Sequence, residues 1–370
     1  MEFTISKSDL VRELGLTQGV VEKRTTIPIL SNILIEASQD RITLTATDLE
    51  LGIRCGCAAQ VKKPGSGTIP AKRLLDYVRL LPDADIQMKF GDNQWVSIVC
   101  GRSRTRIAGM SRESYPELPE MSDKIAEIPA ALLASMIGQT IFSISNEESR
   151  FTLNGALLVL KPDSMVMVAT DGHRLAMVDH PHVIGGGGVY RALLPRKAMT
   201  EILKLAGEAG EGAAFQFSAT ENHLFFQLGE RLLISRKLTG NFPDYDRVLP
   251  KDQPNMVTLP VEEIRSAIER VAQFSDDRSH AVRMKMSAGE MTIHSTLADT
   301  GESEETMGAV YDGPEVEIGF NAHYMLEFLR ANAEPQVSFL FKDAASAGEM
   351  RPAGEDLKYN NRYIIMPMRI

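Results

Sequence analysis

The run Thr170-Asp171-Gly172-His173-Arg174, followed by His180 and His182, gathers the densest set of reactive side chains in this 370-residue sequence. An aspartate two residues from a histidine can share a proton with it or hold a metal ion. No second ligand pair at metal spacing accompanies the run. The other reading is a turn in which Asp171 accepts backbone N–H groups and Gly172 supplies the tight bend. Cys55 and Cys57 alternate along a strand and face one side of it; without a second cysteine pair they read as packing. Gly185 to Gly188 suggests phosphate binding, yet no Gly-Lys-Ser/Thr pattern follows and no helix starts on it, so it reads as a hairpin or loop tip. No Ser-His-Asp arrangement stands out, and no catalytic site emerges from these residues.

The elements that must position these groups recur. Short amphipathic helices start near Ser6, Pro70, Pro129, Pro195, Pro260 and Phe320, at steps of 64, 59, 66, 65 and 60 residues. Proline suits a first helical position, where its missing N–H would be unpaired anyway. Pro70, Pro195 and Phe320 are 125 residues apart, and Ala-Thr-Asp at 46–48 returns at 169–171, an offset of 123. Between the helices apolar residues alternate, as in Ile42, Leu44 and Ala46 and then Leu49, Leu51 and Ile53, with a slip at Asp48 that predicts a β-bulge. Segments 86–110 and 215–238 show the same alternation. SYPELPEMSDK (114–124) and NFPDYDRVLPKDQPN (241–255) each carry an aromatic-Pro pair and a later Leu-Pro, and read as connectors. The pattern predicts an α+β protein of three similar domains, 1–124, 125–252 and 253–370, each made of two units of one helix plus antiparallel strands.

The composition, 44% hydrophobic and 24% charged, is that of globular domains and excludes disordered and fibrous classes. No apolar run approaches the roughly 20 residues of a membrane helix. The start, MEFTISKSDLVREL, contains acidic residues and no apolar signal core, and three cysteines suit a reducing compartment; the expectation is a cytoplasmic protein. The net charge is −9, but it is unevenly spread: the six helical segments together carry +3, leaving −12 on the rest. Lys72, Arg73, Arg79, Arg196, Lys197 and Lys204 supply the positive excess on two equivalent helices. If the helices share one face, a polyanion is drawn to that face and repelled elsewhere.

ATDGHRLA (169–176), NFPDYDRVLP (241–250) and YIIMPMRI (363–370) strongly resemble the bacterial β sliding clamp family. So do RTTIPILSN (24–32), ATDLE (46–50), IPAKRLLDYVRLLP (69–82) and LPRKA (194–198), in the same order along the whole chain. The resemblance implies a non-catalytic processivity subunit of a DNA polymerase holoenzyme, without cofactor or metal. It implies a head-to-tail homodimer forming a pseudo-six-fold ring around duplex DNA, sheets outside and helices lining the hole. Contacts without base readout suit a ring that slides.

By the same resemblance Arg24, Arg73, Arg150, Phe151, Arg196 and Lys197 contact DNA. Thr152 stands where the family often has a second aromatic. A pocket for linear peptides would involve Leu153, Thr170, Gly172, His173, Arg174, Leu175, Pro243, Arg247, Val248, Ala345, Ala347, Ile364, Met366, Pro367 and Met368. Its implied partners are the DNA polymerase III alpha subunit and other polymerases, the clamp loader delta subunit, and mismatch-repair and ligase-type clamp-binding proteins; no membrane partner is implied. Flexible Met366 and Met368 can repack around varied apolar anchors, while Arg174 and Arg247 can pair polar or acidic peptide atoms. The dimer seam would join strand 102–110 to an edge strand of the third domain, with Ile107 and Phe274 as apolar contacts and Thr105 in place of an expected aromatic. Two other readings stand beside this one: a metal-assisted hydrolase using Asp171, His173 and His180, and a repeat-type binding protein that encircles nothing.

Overall fold

A computed structural model of the chain describes residues 1–21, 26–182, 188–299 and 301–369. The described residues contain six α-helices, Lys7–Thr17 (α1), Ala71–Leu80 (α2), Ala130–Gly138 (α3), Arg196–Gly207 (α4), Val261–Val271 (α5) and Ala322–Ala331 (α6). They start where the six-beat pattern predicts. In α5 the buried residues Ile264, Ala267, Ile268 and Val271 fall at helical spacing and form one apolar stripe. At α1 the Ser6 side chain accepts the Asp9 N–H, a capping contact that pairs a donor the helix leaves over.

The prolines do not sit at first helical positions. Pro70, Pro129, Pro195 and Pro260 are each the last residue of the strand before a helix. All four strands are outermost strands of their sheets, where a residue without an N–H is tolerated and leaves one donor fewer for an intruding chain.

The chain forms two compact units, one of residues 1–134 with 197–237, the other of 135–196 with 238–370. In the first, an eight-stranded antiparallel sheet runs Gly65–Pro70, Asn32–Ser38, Arg41–Thr47, Leu51–Ala58, Arg231–Arg236, His223–Leu228, Ala214–Ala219, Ala126–Pro129. The second repeats that order with Tyr190–Pro195, Gly155–Leu160, Ser164–Thr170, Arg174–Pro181, Asn360–Ile365, Gly348–Ala353, Gln336–Phe341, Asn255–Pro260. The first unit adds a five-stranded sheet ending in Ser103–Ala108, the second a four-stranded sheet ending in Gly301–Gly308. The repeat read from helix spacing is thus also a repeat of sheet topology.

The slip at Asp48 is a turn, not a bulge: strand Arg41–Thr47 ends there and Leu51–Ala58 begins, the two pairing as a hairpin. Cys55 and Cys57 both point into the first unit, 0% and 5% exposed, which bears out the packing reading. Burial, followed by the nearby Glu13 charge, pushes the Cys57 thiol up to about 12, so it stays protonated and inert.

Candidate functional site

The turn at 170–174 is built from its own residues. Asp171 Oδ1 accepts the N–H groups of His173 (2.9 Å) and Arg174 (3.1 Å), and the Thr170 hydroxyl accepts the Gly172 N–H (3.1 Å) while donating to the Arg174 carbonyl (2.6 Å). Gly172 has φ +90°, where a side chain would be strained. This is the turn reading, and the metal reading fails on the same contacts. The second oxygen of Asp171 pairs with Arg174 Nε at 3.0 Å, and His180 bonds the Pro181 carbonyl and stacks on Tyr359.

Arg174 is not available to a peptide. Its side chain is 7% exposed and its donors are taken by Asp171, Glu327, Tyr363 and the Phe142 carbonyl, with the guanidinium 4.1 Å from the Tyr324 ring centre. Burial works against its charge, but Tyr363 and Glu327 more than restore it and hold the pKa above the ordinary arginine value. Arg174 is therefore a structural post under the turn. Sequence reading missed Tyr324 and Glu327, which lie far along the chain in a segment whose visible signal is a helix stripe, and the role of Tyr363, which opens the YIIMPMRI segment but gives no local sign of its contact with Arg174.

Above this post lies an apolar floor. Leu175 and Ile364 pack with Leu157, Val168, Met177 and Tyr245, and Ala347 closes one side. Leu175 and Ile364 are neighbours across paired strands. Met366 donates its N–H to the His173 carbonyl at 3.0 Å, and Met368 donates to the Gly319 carbonyl at 2.8 Å, so the C-terminal residues are held by backbone bonds. The rim is open: Met366 is 49% exposed and Val248 45%. Arg247 extends into solvent, paired with Asp244 at 2.8 Å. Thr170, Gly172 and His173 form the turn beside the floor, and Leu153, half-buried, and Pro243, exposed, lie on short connecting segments of the same unit. Ala345 lines a neighbouring cavity together with Pro367 and Met368.

The expected nucleic-acid residues divide between the units. Arg73 is exposed on α2, and among the described residues neither it nor Arg79 pairs with a carboxylate. Lys197 pairs with Asp48, and Lys204 with buried Glu201. In the second unit Phe151 is 69% exposed, while Arg150 pairs with Glu147 and donates to the Asp171 carbonyl at 2.8 Å. Arg196 is directed inward, donating to the Ile144 carbonyl; burial and then the charge of Arg174 lower its pKa. Arg24, and Gly185 to Gly187, lie outside the described residues.

Three family domains match in order: "DNA polymerase III beta subunit, N-terminal domain" over residues 1–119, the central domain over 127–244 and the C-terminal domain over 246–369. The chain belongs to the DNA polymerase III beta subunit family. It is 37% identical to the beta sliding clamp of Caulobacter vibrioides over 379 residues, covering 100% of both chains, and 32% identical to that of Chlamydia muridarum, covering 100% of this chain and 99% of the other. Its fold matches the DNA polymerase sliding clamp of Pseudomonas aeruginosa (TM-score 0.92, 31% identity, 100% of both chains) and the C. crescentus beta sliding clamp (TM-score 0.94, 35% identity, 100% and 99%). The sliding-clamp function follows for this chain.

The residues expected at a dimer seam lie on outer strands or beside one. Ile107 belongs to the outermost strand Ser103–Ala108 but is 5% exposed, packed into its own sheet, so it underlies that edge and does not project from it. Phe274 stands against Gly301, the first residue of the outermost strand Gly301–Gly308. Thr105 lies on the same strand as Ile107 and pairs across with Ile98.

Proposed function

We propose that this chain acts as a non-catalytic homodimeric ring of three-domain subunits (1–124, 125–252, 253–370) that encircles duplex DNA. In this reading it tethers partners through the apolar floor of Leu175 and Ile364. The partners are the DNA polymerase III alpha subunit and other polymerases, the clamp loader delta subunit, and mismatch-repair and ligase-type proteins, each presenting a short apolar segment. The observation that carries the peptide reading is a buried aliphatic floor bordered by an exposed, flexible methionine whose backbone is fixed: Met366 donates to His173 and leaves its side chain to adapt. DNA contact is assigned to Arg73, Arg150, Phe151 and Lys197, with Arg24, while Arg196, turned inward onto the Ile144 carbonyl, would support the start of α4 beside Lys197. Phe151 offers one stacking face for a base.

Two outermost strands support the dimer. Ser103–Ala108 exposes Arg104 and Arg106, and Gly301–Gly308 exposes Glu302 and Glu304. Unlike the outer strands of the eight-stranded sheets, neither ends in proline. Both present open hydrogen-bonding edges of opposite charge, the complementarity a head-to-tail strand pairing requires.

The test is a chain ending at Ile365. Loss of polymerase peptide binding, with thermal stability and dimer mass retained, is the expected result. Unchanged peptide affinity would remove the floor and rim from the binding site.

A further inference from the structure

In the first unit the counterpart of the apolar floor is covered. Gly52 and Leu175 each stand four residues after a turn aspartate, Asp48 or Asp171, and each lies opposite an isoleucine of the neighbouring strand, Ile234 or Ile364. Two residues before those isoleucines, and across from them, the units diverge: the second has Arg362 and Glu349 where the first has Leu232 and Phe225. Phe225, Leu232 and Ile234 form a buried apolar cluster, and Leu118 and Met121 of the connector 114–124 pack onto it. A Cβ on Gly52 would lie 2.9 Å from Leu118 Cδ1, so the missing side chain is what seats Leu118 against the sheet.

Connector length accounts for one floor being covered and the other open. Three residues lead from Tyr115 of the aromatic-Pro pair to Leu118 of the Leu-Pro pair, whereas seven lead from Phe242 to Leu249. The longer connector has room for the helical turn Tyr245–Arg247 and carries Val248 out to the exposed rim. The shorter one runs across its sheet without regular structure. It is fastened at both ends: the buried Tyr115 donates its hydroxyl to the Thr45 carbonyl at 2.9 Å, and the Ser122 hydroxyl is 2.6 Å from that of buried Ser218. Between these ties it is held by Leu118, Met121 and an ion pair of Glu120 with Arg54 at 3.3 Å, whose carboxylate is 80% exposed and contributes little. Two apolar anchors three residues apart, with an acid beside a rim arginine, are the contacts a bound peptide would make.

We infer that the first unit carries a second peptide-binding face, kept shut by its own connector as a tethered occupant. Its ligand is an extended segment with a leucine, a second long apolar residue three positions on, and a glutamate just before the latter. The inference borrows the peptide chemistry proposed for the second unit, but not its site. Tethering makes the connector's contact intramolecular, so a free peptide competes only when the anchors are lifted or lost.

The probe is the connector's own sequence, SYPELPEMSDK, as a fluorescein-labelled peptide read by anisotropy. The chain ending at Ile365 serves as the background, so that the rim of the second unit does not contribute. Leu118→Ser with Met121→Ser in that chain should tighten probe binding about tenfold or more, because the tethered competitor is gone. Replacing Glu117 by the five residues of 244–248, which lengthens the connector to match its counterpart, should give the same gain and keeps the test standing if the double variant misfolds. Gly52→Leu added to either opened chain fills the seat of Leu118 and should abolish the gain. Equal probe affinity in the closed and opened chains overturns the inference, as does a gain that survives Gly52→Leu. A gain in the opened chains supports it even if truncation at Ile365 leaves polymerase peptides bound, a result that would overturn the second-unit reading alone.

Discussion

Asp48 and Asp171 stand 123 residues apart and build the same turn. In each, Oδ1 accepts two successive backbone N–H groups, from Glu50 and Leu51 or from His173 and Arg174. The preceding threonine, Thr47 or Thr170, closes the turn in the same two directions. The residue after each aspartate has positive φ, +77° at Leu49 and +90° at Gly172. What differs is the second oxygen: Asp48 pairs with Lys197, Asp171 with Arg174. One copy of the repeat holds a half-exposed lysine near solvent, while the other buries an arginine beneath an apolar floor.

Asp48 therefore restrains a lysine that the DNA reading needs. Asp48→Asn keeps the Oδ1 acceptor and the turn but removes the charge facing Lys197. Binding to a short duplex should then show a salt dependence steeper by about 0.9 in log K against log salt, one phosphate more. Lys197→Ala should reverse the gain. A slope identical in wild type and Asp48→Asn would mean that Lys197 does not reach the backbone of DNA.

Arg174 offers a different test because the buried member of its ion-pair network is the arginine, 7% exposed, while Asp171 and Glu327 are 14% and 39% exposed. Arg174→Ala leaves Asp171 and Glu327 without their partner and opens a gap under the turn; since both carboxylates reach solvent, the expected cost is about 1–3 kcal/mol, that of lost hydrogen bonds to a charged group. Urea unfolding should show that loss, with peptide affinity falling as the turn loosens. Arg174→Lys should recover little, since an ammonium cannot reach Asp171, Glu327 and the Phe142 carbonyl together. Full stability in the lysine variant would show that charge alone, not the fork geometry, holds the turn.

Glu349 predicts a pH effect of definite sign. It is 1% exposed; burial raises its pKa, but hydrogen bonds from Arg362 and Arg351 outweigh burial and bring it below the ordinary carboxylate value. A depressed folded pKa contributes stability above the unfolded value, about 4.3, and loses it as pH falls through the folded pKa. Glu349→Gln should be less stable than the wild type at pH 7, with the gap narrowing below about pH 4. A gap constant from pH 7 to pH 3 in urea titrations would assign the difference to hydrogen bonding and not to charge.

The helices and the turn were legible in the sequence because their causes are local: a stripe at helical spacing in α5, and an aspartate followed by N–H groups it can reach. The role of Arg174 was not, because its partner Glu327 lies 153 residues away, and Lys197 is separated from Asp48 by 149. A positive side chain looks free until the fold supplies its carboxylate. The prolines were misplaced by one residue for a related reason. Helix-start statistics describe helices entered from loops, whereas here each helix follows directly on an outermost strand, and it is the strand that accommodates the missing N–H. Tyr245 and Leu249 were read as parts of a connector, but their apolar faces complete the floor, a role visible only once the strands beneath them are assembled.

The dimer can be followed through a single residue. Trp95 is the one tryptophan in the chain, 42% exposed, and Arg106 on the neighbouring outermost strand stands over its ring at 5.2 Å. If Ser103–Ala108 pairs with Gly301–Gly308 of a second chain, Arg106 gains acidic neighbours and the surroundings of Trp95 change. Tryptophan emission should therefore shift on dilution, along the same curve as the mass measured by light scattering. Exposed ion pairs contribute about 0.2–1 kcal/mol each, and reversal replaces attraction by repulsion. Arg104→Glu with Arg106→Glu should thus weaken the dimer about tenfold or more, and Glu302→Arg with Glu304→Arg on the same background should restore it. A dimer indifferent to the first pair of changes would place the seam elsewhere. Weakening without rescue would show that the arginines act through Trp95 packing within their own sheet and not across the seam.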